Sequence, residues 1–163
     1  MDIELLLDIS PFEWRSVLTA LGCGTIIGLE RQLRGKPAGI RTSSLIILGT
    51  YLFIACSIYV SRQATMTDPS RIIGQVNTGI GFSGAGVMLS KGRSVYGVTS
   101  AATIWALAAI GVCIGIGQLA SAIKLSAVVV VILFGVDMFE ENIQKVGTKV
   151  HTRYSAWRSR DNE

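Results

Sequence analysis

Five apolar stretches, each near the length of a membrane-crossing helix, follow one another along this chain: Phe12 to Leu29, Ser43 to Val60, Ile72 to Leu89, Val98 to Leu119, and Ala122 to Phe139. About 20 helical residues at 1.5 Å each cover the roughly 30 Å hydrocarbon core of a bilayer. Charged residues make up only 16% of the 163 and mean hydropathy is +0.50, whereas soluble domains carry about 25% charged residues. The pattern predicts an all-α polytopic membrane protein, a bundle of about five transmembrane helices over residues 1–140 followed by a short tail, 141–163.

Helix-start signals sharpen the boundaries. Strict apolarity in the third stretch begins only at Val76. Asp68 can cap a helix whose first residue is Pro69, where a missing N–H costs nothing, so that helix should start early and carry Gln75 and Asn77. The first stretch reads the same way, with Ser10, Pro11 and Glu13 as a capping box.

Orientation follows from the cations. Of the 15 Lys and Arg residues, Arg15, Arg62, Arg71 and Lys124 fall on one side of the spans and the other eleven on the opposite side. The positive-inside rule then places the N-terminus outside and the C-terminus in the cytoplasm. The net charge of +4 accordingly reads as topology and contact with anionic lipid, and no nucleic-acid partner is expected. The first eight residues hold Asp2, Glu4 and Asp8 without a Lys or Arg, unlike a cleaved signal peptide. Cys23, Cys56 and Cys113 lie in apolar spans without metal-ligand spacing and read as small buried residues.

Glycine is concentrated in patterns. Gly79 to Gly84 spells G-x-G-x-x-G, but no strand or βαβ unit surrounds it, so a dinucleotide site is not expected. Gly79, Gly81, Gly84 and Gly86 instead admit a close neighbouring backbone, or a helix break exposing carbonyls to a cavity. Gly24 with Gly28, and Gly111 with Gly115, are spaced G-x-x-x-G, either for packing within one bundle or for the interface of a homodimer.

Polar side chains inside or at the rim of the spans need partners: Glu30, Arg31, Arg41, Thr42, Gln75, Asn77, Thr99, Ser100, Thr103 and Asp137. Glu30, at the end of an apolar helix, can pair with Arg34 one turn on or with Arg41 across the loop. Such a pair is either an interfacial salt bridge fixing the loop "RQLRGKPAGIRT" or one wall of a polar cavity facing the cytoplasm. In the tail, Ile143, Val146, Val150, Tyr154 and Trp157 share a helical face beside Lys145, Lys149, Arg153 and Arg160, a basic amphipathic helix suited to anionic lipid headgroups. The one His, His151, stands alone in it. No nucleophile has a base beside it, so no catalytic residue, cofactor or metal site is expected and the chain reads as a non-enzyme.

Four segments in order, "GLERQLRG", "AGIRT", "DPSRIIGQVNTGIGFSGAGVML" and "SVYGVTSAATIWALAAIGVCIGIG", resemble the MgtC/SapB family of bacterial inner-membrane proteins over roughly residues 15 to 120. The resemblance implies a five-span, N-out membrane region and a link to low magnesium and, in some pathogens, to virulence. It also implies action on other membrane machinery, with ATP synthase or a P-type transporter as the kind of partner. Many members carry a further cytoplasmic domain, whereas this chain ends about 24 residues past Phe139, as a short member would. Thr99-Ser100 stands where members commonly have Asn-Thr, and Ser83 where they have a bulky residue. The leading expectation is a regulator of ion homeostasis under magnesium limitation. The alternative is a small transporter or channel for Mg²⁺ or a small anionic or zwitterionic solute.

Overall fold

The computed structural model describes residues 8–63, 68–91 and 94–135. Five helices occupy them: α1 (Trp14–Leu33), α2 (Ile40–Gln63), α3 (Pro69–Ala85), α4 (Val98–Gly115) and α5 (Leu119–Gly135). Between α3 and α4 lies an antiparallel hairpin, β1 (Leu89–Lys91) with β2 (Ser94–Tyr96), in which Ser90 stands opposite Val95. The amphipathic tail, Asp137 and His151 lie outside the described residues. The packing below concerns the compact unit that ends at Val130.

Two helices, α2 and α4, are long and apolar enough to cross a membrane; the 24 residues of α2 make about 36 Å of helix. Large apolar side chains cover the outside as well as the core: Leu18, Leu45, Phe53, Phe82 and Trp105 are all exposed. The largest fully buried apolar side chains are Ile27, Ile47, Ile54, Leu107, Ile110 and Ile114, from α1, α2 and α4.

Local chemistry explains the helix ends. Asp68 caps α3: its carboxylate accepts from the Ser70 N–H at 2.9 Å and from the Ser70 hydroxyl at 2.7 Å, with Pro69 following the cap as the sequence predicts. The expected capping box on α1 does not form. The chain turns at Ser10 and Pro11, where the Ser10 N–H donates to Asp8. Helix α1 starts only at Trp14, with Glu13 as an N-cap that makes no side-chain bond. The Glu13 N–H is satisfied from across the bundle instead, donating to the Tyr51 hydroxyl at 3.0 Å.

Both α1 and α4 close in a Schellman turn. Gly35 and Gly117 take φ of +62° and +83°, and the amides of Lys36 and Gln118 reach back to the carbonyls of Arg31 and Cys113. Helix α3 stops at Ala85, short of the expected Leu89, which pairs in the hairpin instead. Gly97 then turns the chain into α4 at φ +86°, where a Cβ would lie 2.2 Å from the Val87 carbonyl oxygen.

Helix α2 is the centre of the packing, in contact with α1, α3 and α4. A Cβ on Gly24 or Gly28 would fall 2.5 Å from the Cα of Ser44 or Ile40, so α1 and α2 touch backbone to backbone. On its other flank, a Cβ on Gly111 would meet the Thr50 side chain at 2.6 Å, and one on Gly115 would meet Ile54 at 2.6 Å. Both G-x-x-x-G pairs are therefore occupied within the chain. Gly79 and Gly81 have nothing within 4 Å of an added Cβ, Gly84 meets Ala101 at an ordinary 3.6 Å, and Gly86 meets only its own preceding turn. Of the cysteines, Cys23 is buried as expected, whereas Cys56 is exposed and Cys113 half-buried.

Two predictions follow from these contacts. Gly28→Ala should lower unfolding stability in detergent by about 1–3 kcal/mol, the usual result of overpacking, whereas Gly22→Ala, with open space around it, should be neutral or stabilising by up to about 1 kcal/mol. The Ser70 hydroxyl and amide hold the Asp68 carboxyl below its ordinary value near 3.8. A depressed carboxyl contributes stability above its unfolded pKa and loses it as pH falls through the folded one. The melting-temperature gap between wild type and Asp68→Ala should accordingly be constant above about pH 5 and shrink in stronger acid.

Candidate functional site

Where α1 ends and α4 begins, the bundle holds charge in its interior. Glu30 and Arg31 are consecutive residues of the last turns of α1 and remain only 3% and 2% exposed. The Arg31 guanidinium reaches the first turn of α4, where Nη2 donates to the Ser100 hydroxyl at 2.5 Å, and its Nε donates to the Pro37 carbonyl at 3.4 Å. One side chain thus joins α1, the following loop and α4. Glu30 Oε1 lies 2.9 Å from Arg34 Nε, an ion pair within one helix turn. Neither carboxylate oxygen receives a directed hydrogen bond from the described residues.

The loop beneath this cluster is built to bring a carbonyl to Arg31. Gly35 ends α1, Ala38 takes φ +63°, and the fully buried Ser43 hydroxyl donates to the Ala38 carbonyl at 2.8 Å. Burial of a guanidinium and a carboxylate is costly unless their bonds are met. Here the Pro37 carbonyl and the Ser100 hydroxyl each accept a bond from Arg31, and Arg34 faces Glu30.

The other polar residues predicted for this cavity are dispersed. Thr103 is buried close by in sequence, but its hydroxyl donates to the Thr99 carbonyl of its own helix at 2.8 Å. Arg41, Thr42 and Thr99 are exposed. Asn77 accepts from the Trp105 indole N–H, tying α3 to α4. Gln75 lines a separate, largely apolar groove of about 610 Å³ between α2 and α3, with Leu45, Thr50, Phe53, Gly79 and Ser83. Of the two partners open to Glu30, the structure selects Arg34. Among the described residues no three of His, Cys, Asp and Glu gather as a metal site would require.

A profile of the MgtC family matches residues 17–142. The chain belongs to the MgtC family. Residues of this MgtC-family chain are 47% identical over 114 positions to the putative magnesium transporter YhiD of Escherichia coli K12, covering 67% of this chain and 53% of that protein. Identity to protein MgtC of Salmonella typhimurium LT2 is 39% over 131 positions, 80% of this chain and 54% of the relative. An uncharacterised protein of Haemophilus influenzae is 38% identical over 122 positions, 71% and 51% of the two chains. The chain thus spans about half the length of the curated relatives it matches. No solved structure matches it.

Sequence reasoning missed two contributors to the cluster, the Pro37 carbonyl and Ser43, and at the far end of the bundle it missed Tyr51 as the partner of the Glu13 amide. A backbone carbonyl leaves no trace in composition. Ser43 and Tyr51 could have been flagged as polar groups within an apolar span, which must find partners.

The Arg31 junction yields a double-variant test. Arg31→Met should cost about 3–5 kcal/mol by breaking a buried charged network, and Ser100→Ala about 1.5–3 kcal/mol through a lost bond to a charged group. Their combination should cost less than the sum by at least about 0.5 kcal/mol, measured by chemical unfolding in detergent. Strict additivity would show that the two side chains do not interact.

Proposed function

We propose that this chain is a multi-pass protein of the bacterial inner membrane, N-terminus outside, that acts in magnesium-linked ion homeostasis by regulating other membrane machinery, without catalysis. Three features support the membrane reading: large apolar side chains exposed along α1 to α4, two helices long enough to cross, and cations biased to one side of the spans. The magnesium link comes from family membership and from the relative named a putative magnesium transporter.

The observation that carries regulation over transport is the engagement of Glu30. Among the described residues it is the acid in the core, and it already faces Arg34. Mg²⁺ needs near-octahedral oxygen ligands and sheds water reluctantly, and here the carboxylate that could serve it is committed to a cation. The buried cluster instead joins α1, its loop and α4, and so fixes the exposed loop residues Gly35 to Pro37 on which a membrane partner can act. ATP synthase or a P-type transporter is the kind of partner the family resemblance implies, with a homodimer and anionic lipid at the basic tail as further contacts.

A second reading, transport of Mg²⁺ or a small anionic or zwitterionic solute, is favoured by the relative's printed name and by the α2/α3 groove with Thr50, Gln75 and Ser83. Purified protein in liposomes separates the two. The regulatory reading expects Mg²⁺ and anion flux no greater than in empty liposomes, together with a membrane partner that co-purifies with wild type and is lost in Glu30→Gln. Flux above background that disappears in Glu30→Gln would overturn it.

A further inference from the structure

At the opposite end of the bundle from Glu30, the start of α1, the second half of α2 and the end of α4 border a half-open pocket of about 250 Å³. Its polar groups are Glu13, Ser16, Tyr51, Tyr59 and Arg62, and its remaining wall includes the last turn of α4, Ile114 to Gly117. None of these residues was expected to form a site, and none belongs to the cluster around Arg31.

Two buried groups in this pocket have unused hydrogen-bonding capacity. Ser16 is 4% exposed and its hydroxyl has no hydrogen-bond partner among the described residues. Tyr51, at 3%, accepts from the Glu13 N–H, yet its own O–H has no acceptor among them. The Ser16 oxygen is not sealed from solvent, and both residues line the pocket, where a bound group can hydrogen-bond to the two hydroxyls.

Two charged groups are likewise uncommitted. Glu13 and Arg62 both line the pocket and are exposed, and neither forms an ion pair, with the other or with any described residue. A carboxylate and a guanidinium on the wall of one small pocket, held apart, match a ligand that carries both signs of charge. The C-terminus of α4 adds partial negative charge, because its last carbonyls point toward this end. The pocket is also too small for a helix or a peptide strand.

We propose that this pocket binds a small zwitterionic group, its ammonium at Glu13 and the α4 carbonyls and its anionic end at Arg62, with the Ser16 and Tyr51 hydroxyls donating to the anion. An ammonium joined by two carbons to a phosphate has this chemistry, whether it is the headgroup of phosphatidylethanolamine in the adjoining leaflet or a free solute. The site is independent of the regulatory reading above.

The test uses the full chain in maltoside detergent, titrated calorimetrically with O-phosphoethanolamine, ethanolamine and inorganic phosphate. In parallel, melting temperatures are compared in nanodiscs of phosphatidylethanolamine and of phosphatidylglycerol. A free zwitterion as ligand gives saturable heat with O-phosphoethanolamine, at least tenfold weaker with either half alone, and at least tenfold weaker in Glu13→Gln and Arg62→Gln. A lipid headgroup as ligand gives no such heat but a higher melting temperature in phosphatidylethanolamine, a gap that both variants abolish. Ser16→Ala, which changes no charge, weakens whichever response is seen. Phosphate binding as tightly as O-phosphoethanolamine overturns the proposal. So does a response that survives in Glu13→Gln and Arg62→Gln, or the absence of any response.

Discussion

Two pairs of glycines set how closely α1 and α4 approach α2, and the positions of both polar sites depend on that approach. Gly24 and Gly28 put the α1 backbone against Ser44 and Ile40, while Gly111 and Gly115 receive Thr50 and Ile54 from the other flank of α2. In hydrocarbon, apolar side chains gain little by touching one another rather than lipid, so helix association relies on dispersion contacts at short range and on hydrogen bonds. Helix α2 is long, apolar and central, and it acts as the template against which the other two are registered.

That registration makes the charged cluster tolerable. Arg31 can lie buried because close packing at Gly28 holds the loop against α1 and packing at Gly111 and Gly115 holds α4 on α2, so that the Pro37 carbonyl and the Ser100 hydroxyl accept from it. Glu30 is held by Arg34 on the same helix face. A buried network of this kind contributes less to net stability than an apolar replacement could, but it penalises every alternative register, in which a charge would lose its partner. The same argument applies at the far end, where the Glu13 N–H finds Tyr51 only if α1 and α2 keep their crossing.

Helix positions were largely legible in the residues, because a bilayer-length apolar run has few other structural solutions. The Asp68–Pro69 start was readable because both the cap and the proline act within one turn. The capping box at Ser10 was misread: the same residue types serve a turn at Ser10 and Pro11, and the amide that needed a partner found one 38 residues away in Tyr51. The hairpin at Leu89–Tyr96 was hidden inside what looked like the end of one apolar run and a charged connection. For the site, the sequence singled out Glu30, Arg31 and Ser100 but grouped them with Arg41, Gln75, Asn77 and Thr99, which the fold sends elsewhere.

What the sequence by itself determined is the succession of helices and the requirement that each polar group within an apolar span find a partner, since both follow from hydropathy and from interactions within a few residues. Only the tertiary structure decided which partners those are. Arg34 rather than Arg41 for Glu30, Ser100 for Arg31, α2 for the G-x-x-x-G faces, and a pocket lined by both Glu13 and Arg62 all depend on how helices cross. Crossing geometry is set by the summed fit of many small contacts distant in sequence, none of which is visible in any one segment.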